Sequence, residues 1–88
     1  MIVATPDHWH VPITVDACEA GKDVYVEKPL THEPAEGEAV IAAQDRHGRV
    51  VQVGTQQRSM PQFLAAKEMV ERGEIAKVLK VHLCWNRG

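Results

Sequence analysis

Val24-Tyr25-Val26-Glu27-Lys28-Pro29 is an apolar run that breaks off into a carboxylate, a cation and a proline. A short continuous apolar run bounded by polar residues reads as a buried strand. Pro29 has no N–H to give and forbids simple continuation of a ladder. Glu27 and Lys28 therefore stand where the strand leaves its sheet. In open α/β sheets that carboxyl edge is where ligands bind. Lys28 would place a charge and three hydrogen-bond donors in such a cleft. Taken alone, the tripeptide reads better as a solvated strand-end lysine beside a turn proline.

Working outward, strand-like and helix-like stretches alternate. Ile2-Val3-Ala4 reads as a first short strand, and Val50-Val51-Gln52-Val53, ending at Gly54, as a third. Val11 to Ala20 has helical spacing, with Pro12 in its first turn and Gly21 just past its end. Pro34 to His47 has the same spacing and stops at Gly48. Ser59 is expected to cap a third helix, with Gln62 as its capping-box partner; that helix runs to about Arg72 and stops at Gly73. Short apolar strands alternating with helices predict an α/β fold, a parallel sheet with helices on both faces. Right-handed crossovers would put the three strand-to-helix loops on one edge.

The last segment changes period. Leu79, Val81, Leu83 and Trp85 alternate with Lys80, His82 and Cys84, as in a strand with one buried face. It reads as the first strand of a different sheet, with a further domain expected after it.

The chain has 88 residues, room for one small domain, with 44% hydrophobic and 25% charged residues, a globular mix that argues against disorder. The formal net charge of -2, with scattered basic residues, points to neither a nucleic-acid nor a membrane partner. Met1 to Pro6 has no basic n-region, so no signal peptide is expected. Cys18 and Cys84 form no Cys-x-x-Cys pair and read as reduced thiols of a cytoplasmic protein, though a disulfide between them stays open.

Three blocks carry a resemblance: Ala4-Thr5-Pro6-Asp7-His8-Trp9-His10, Ala20 through Leu30, and Val53-Gly54-Thr55-Gln56-Gln57-Arg58. In this order they resemble the Gfo/Idh/MocA family of nicotinamide-dependent oxidoreductases, the glucose–fructose oxidoreductase and inositol dehydrogenase type. The similarity covers nearly the whole chain. It implies the C-terminal half of a Rossmann-type parallel sheet in residues 1–76. Residues 77–88 would open an α+β substrate domain. Family members begin with a glycine-rich loop that binds the cofactor pyrophosphate. No Gly-x-Gly-x-x-Gly is present here, because the glycines are too widely spaced. The chain is thus expected to be a partial sequence or a natural short protein, with the isolated chain inactive.

The resemblance implies NAD or NADP as cofactor and Lys28 as the catalytic residue, bonded to the reacting hydroxyl or the nicotinamide ribose. Glu27 would orient Lys28 or hold the ribose, and Pro29 would follow a cis peptide. Thr5 and Pro6 would bring backbone against the cofactor beside the first N–H groups of a helix, with Gln56 and Arg58 at the same edge. His10 would lie beside the cleft; by its position alone it reads equally as a cap or a loop-packing residue. Trp9 would stack on a ring or bury its face. Where many relatives carry Asn-Arg-Arg this chain has Gln56-Gln57-Arg58, so only Arg58 keeps its cation. His8 and His10 have a zinc-like spacing without a locally supported third ligand, and no metal is expected.

The family activity implied is hydride transfer between the cofactor and a sugar, cyclitol or related polyol, in a homo-oligomer assembled through the second domain. The alternatives are an NAD-dependent glycoside hydrolase of the same family and a truncated, inactive chain. The substrate and the choice between NAD and NADP rest on residues outside these 88.

Overall fold

The computed structural model describes residues 1–85, and the expectations for Asn86-Arg87-Gly88 lie outside the described residues. It contains β1 (Ile2–Val3), α1 (His10–Glu19), β2 (Val24–Glu27), α2 (Gly37–His47), β3 (Val51–Gly54) and α3 (Pro61–Glu71). Two 3-10 turns, Asp7–Trp9 and Pro34–Glu36, lead into α1 and α2. The strands pair in parallel in the order β1-β2-β3, as the alternation predicted. The chain forms two compact units, Met1–Gln56 and Gln57–Gly88. This division by compactness does not bear on whether a domain boundary falls at residue 76.

In the first unit the sheet register places Val3, Val26 and Val53 side by side, with Val24 beside Val51. These residues face α1 and α2 through Ala17, Cys18 and Ala43, and the cluster is the core. Ile2, Tyr25 and Gln52 lie in the alternate register on the other face and remain exposed. In this unit α1 and α2 both lie on one face of the sheet. The physical reason is topological. Successive right-handed crossovers that advance one strand at a time deliver each helix to the same side. Indeed α1 and α2 pack on each other.

Helix ends follow local chemistry. Gly48 closes α2 at φ 58° and Gly21 follows α1 at φ 72°, left-handed positions that suit glycine. The Glu36 carboxylate accepts the backbone N–H groups of His32 (2.9 Å) and Glu33 (3.0 Å) ahead of α2. The Glu33 bond foremost holds the Glu36 carboxyl below its ordinary range; desolvation opposes it, and the His32 bond adds to the lowering. A carboxyl whose folded value is depressed stabilises the fold above its unfolded value and ceases to do so as pH falls through the folded one. Thermal stability should therefore decline as pH drops below about 4.3, the ordinary glutamate value. Glu36→Gln should flatten that part of the Tm–pH curve, and identical curves for the two proteins would refute the assignment.

Thr14 is fully buried on α1, and its Oγ1 has no hydrogen-bond partner among the described residues. A buried hydroxyl left unpaired costs on the order of 1–3 kcal/mol. Thr14→Val keeps the shape and removes that hydroxyl, so it should raise Tm, with a gain of about 1 kcal/mol in denaturant titration. A loss of stability would show that the hydroxyl is bonded after all.

In the second unit, α3 starts one residue later than expected from a Ser59 cap. Met60 is the N-cap, without a side-chain cap bond, and Pro61 takes the first helical position. Proline there has its φ preset and needs no donor. The shift moves Gln62 off the third position, so the expected capping box does not form; its Nε2 reaches Met60 Sδ at 3.7 Å instead. Residues 77–85 form neither helix nor strand, so the period-two pattern finds no ladder among the described residues. Cys18 is buried and Cys84 exposed, and both are free thiols. Burial pushes the Cys18 thiol up, with Arg49 pulling weakly the other way. Among the described residues no helix is long and apolar enough to cross a membrane.

Candidate functional site

The carboxyl ends of the three parallel strands open on one edge. β1 ends at Val3 and releases Thr5 and Pro6, β2 ends at Glu27 and releases Lys28 and Pro29, and β3 ends at Gly54 and releases Thr55 and Gln56. The register pairs Glu27 with Gly54, so the central and third strands deliver their loops at the same height. Thr5, Pro6, Lys28, Pro29 and Gln56 are all exposed there. Arg58 belongs to the second unit.

Lys28 takes part in none of the ion pairs among the described residues. Lys28 as a whole is exposed at the sheet edge. Glu27 is half-buried, and its Oε2 accepts the backbone N–H of Lys28 at 3.2 Å. Glu27 therefore orients the Lys28 backbone rather than its ammonium. The Lys28-Pro29 peptide is cis, in line with the sequence expectation.

Gly54 serves the packing of this edge. A Cβ on it would stand 2.9 Å from Tyr25 Oη, 3.0 Å from Tyr25 Cε1 and 3.2 Å from Glu27 Oε1. The missing side chain lets the tyrosine ring and the Glu27 carboxylate lie over β3. Neither Tyr25 nor Gly54 stood out in the sequence as a site-shaping residue. The period-two rule that puts Tyr25, Glu27 and Gly54 on one face was the signal available.

Two expectations change at the first loop. The N–H groups at the start of the 3-10 turn are used locally. His8 donates to Asp7 Oδ1 at 2.9 Å and Trp9 to the Pro6 carbonyl at 3.0 Å. They are not held out to a ligand, because the tight turn brings its own acceptors within reach. His10, expected beside the cofactor, is buried to 2% exposure. Its Nδ1 lies 2.6 Å from the Pro29 carbonyl oxygen and its Nε2 2.9 Å from that of Thr5. Neither ring nitrogen is open to a cofactor or to a metal shared with His8. Trp9 is half-exposed, its ring 5.7 Å from that of His8.

Comparison with known proteins gives a consistent picture. Residues 1–55 match the model of the oxidoreductase family GFO_IDH_MocA, described as an NAD-binding Rossmann fold. The chain is 36% identical over 77 residues to scyllo-inositol 2-dehydrogenase (NAD(+)) of Bacillus subtilis, covering 88% of this chain and 22% of that protein. It is 32% identical over 87 residues to the scyllo-inositol 2-dehydrogenase (NADP(+)) IolW of the same organism, covering 99% of this chain and 24% of that one. Among solved structures, the WlbA dehydrogenase of Bordetella pertussis, in complex with NADH and UDP-GlcNAcA, superposes with a TM-score of 0.78 at 27% identity. That match covers 85% of this chain and 23% of the other. The chain spans less than a quarter of the length of these relatives, with the NADP(+) enzyme at the upper limit.

Proposed function

The chain belongs to the Gfo/Idh/MocA oxidoreductase family, its first 55 residues being part of that family's NAD-binding Rossmann fold, and from that membership we propose that it supplies the nicotinamide side of a sugar or polyol dehydrogenase. The observation that carries this reading is the placement of Lys28. A cation without an ion-pair partner among the described residues stands at the carboxyl end of the central strand of a parallel sheet.

The donor set fits the nicotinamide–ribose end of a dinucleotide. Glu27 and the exposed Thr5 and Gln56 offer acceptors to ribose hydroxyls, and Lys28 offers donors. Pro6 and Pro29 give rigid backbone against a flat ring. The bound cofactor takes up or gives a hydride. Lys28 would hold the substrate hydroxyl and, as an ammonium, stabilise the negative charge on its oxygen as the hydroxyl proton leaves, or as a hydride reaches the carbonyl in the reverse direction. A neutral Lys28 amine would take the hydroxyl proton, become that ammonium, and release the proton to solvent. Inositol and nucleotide-sugar relatives support a cyclitol or sugar as substrate, and relatives naming NAD(+) and NADP(+) support either cofactor. The free Cys18 and Cys84 support a cytoplasmic setting, and the family supports a homo-oligomer.

The test is reduction of NAD or NADP by a full-length enzyme carrying this segment, followed by absorbance against a panel of inositols, aldoses and glycosides. Reduced cofactor appearing with a polyol or aldose is expected. Release of an aglycone without net reduced cofactor would replace this reading with the glycoside hydrolase.

The 88-residue chain itself should bind dinucleotide weakly. Affinity for the pyrophosphate comes from a glycine-rich turn and the helix N-terminus behind it, and these residues contain no such turn. Calorimetric titration with NADH should give a dissociation constant on the order of millimolar or weaker, about 4 kcal/mol. Micromolar binding would show that the strand ends suffice.

A further inference from the structure

Gly54 closes β3, and the register pairs it with Glu27 on the central strand. Gly21, Gly48 and Gly73 take positive φ, and a Cβ on any of them would meet nothing within 4 Å. Gly54 is the reverse case. Its φ lies outside the left-handed region, so its backbone does not call for glycine. A Cβ on it, however, would crowd Tyr25 Oη at 2.9 Å, Tyr25 Cε1 at 3.0 Å and Glu27 Oε1 at 3.2 Å. Glycine in a strand often marks such a close approach of another group. Tyr25 and Glu27 stand two residues apart on one face of β2. Tyr25 pairs with Gln52, so Gly54 takes the diagonal place on β3, within reach of an aromatic ring. Tyr25 is 44% exposed on the face away from α1 and α2. No helix there presses the ring down; Gly54 leaves the space in which it lies against β3.

The Glu27 carboxylate shares that space. Its Oε1 lies over Gly54, while its Oε2 accepts the Lys28 N–H at 3.2 Å. One carboxylate thus touches β3 with one oxygen and the first residue past β2 with the other. The bond to Lys28 is at the long end of its range and has little slack. A methyl group on Gly54 would force the ring and the carboxylate to give way together. We propose that Gly54 is a positioning residue: by leaving room for the Tyr25 ring and the Glu27 carboxylate, it holds that carboxylate against the Lys28 amide and so sets where Lys28 stands at the sheet edge. The consequence for Lys28 in the chemistry rests on the functional reading above. The packing does not, and it can fail or hold without any activity being measured.

Gly54→Ala in the ¹⁵N-labelled chain, followed by NMR, reads the packing. The Lys28 amide should exchange with solvent about two- to tenfold faster, the loss of one hydrogen bond. The Val24 and Val26 amides should keep their protection. Glu27→Leu, which has no acceptor, sets the scale of complete loss. Adding Tyr25→Leu to Gly54→Ala withdraws the hydroxyl and the ring atom nearest the new methyl. The carboxylate can then shift within the freed space, so the Lys28 amide should recover, a coupling that independent sites would not show. An unchanged Lys28 amide in Gly54→Ala, or no recovery in the double variant, would overturn the proposal. In a full-length enzyme carrying this segment, Gly54→Ala should lower kcat about tenfold at an unchanged Tm, and Tyr25→Leu should restore it. Normal kcat in Gly54→Ala beside an impaired Lys28→Met would make Gly54 a packing residue only. Normal kcat in Lys28→Met would remove the functional reading instead, and the amide comparison would still decide the role of Gly54. Should Gly54→Ala fail to fold, the unmodified chain decides. Cross-relaxation from the Gly54 α protons should reach both the Tyr25 ring and the Glu27 side chain, and its absence would overturn the proposal.

Discussion

Replacing Lys28 with methionine should lower turnover about 10²–10³-fold in a full-length enzyme carrying this segment, the usual loss for one preorganised electrostatic contact. Methionine keeps the stem and removes the charge. The effect falls on turnover because the ammonium acts on an oxygen that becomes negative only in the transition state. Cofactor affinity should move little, since most of it resides in pyrophosphate and adenosine contacts. Folding should move little too, as Lys28 is exposed and in none of the ion pairs among the described residues. Measured together, kcat, cofactor Kd and Tm separate the two roles available to a strand-end lysine. Near-normal kcat with a lowered Tm would assign Lys28 to the scaffold and remove it from the chemistry.

Val26→Asp should unfold the first unit. Val26 is completely buried at the centre of the middle strand, between Val3 and Val53 in the register. A carboxylate there has no cation within its cluster of Val3, Ala17, Cys18, Val24 and Ala43. Burying such a charge, or neutralising it and stranding its hydroxyl, costs on the order of 3 kcal/mol or more. A unit of this size has little stability in reserve. The neighbouring Tyr25→Asp is the control. Tyr25 is 44% exposed on the opposite face, so the change should cost no more than about 1 kcal/mol. Circular dichroism melts of the two variants give the comparison. A folded Val26→Asp with an ordinary melt would mean that this face of β2 does not lie beneath α1 and α2.

Much of the edge was legible because it depends on short-range chemistry. The block from Val24 to Pro29 announces a strand and its end within a few residues, and β2 runs Val24–Glu27. Gly21 and Gly48 mark helix ends because a left-handed backbone is a property of the residue itself. The Ser59 cap misled for a local reason as well: two plausible starts compete within three residues, and the preset φ of Pro61 wins. The side assigned to each helix was harder to read. Apolar periodicity says that α1 and α2 bury a stripe, but not that both stripes meet the same face of the sheet.

The sequence by itself determined the parallel α/β alternation, the strand that ends in Glu27-Lys28-Pro29, and membership in a nicotinamide-dependent family. Each is written in contiguous residues whose periodicity, backbone preferences and motif survive without knowledge of the rest of the chain. The tertiary structure alone decided the strand order β1-β2-β3 and that α1 and α2 share one face of the sheet. It also decided that Gly54 makes room for Tyr25, and that His10 faces two carbonyls instead of the cleft. The histidine shows why. Its partners lie five positions before it and nineteen after it, and nothing in the spacing of His10 marks either carbonyl as its acceptor. Only when parallel pairing brings the ends of β1 and β2 together does a ring at the start of α1 find both within hydrogen-bond reach.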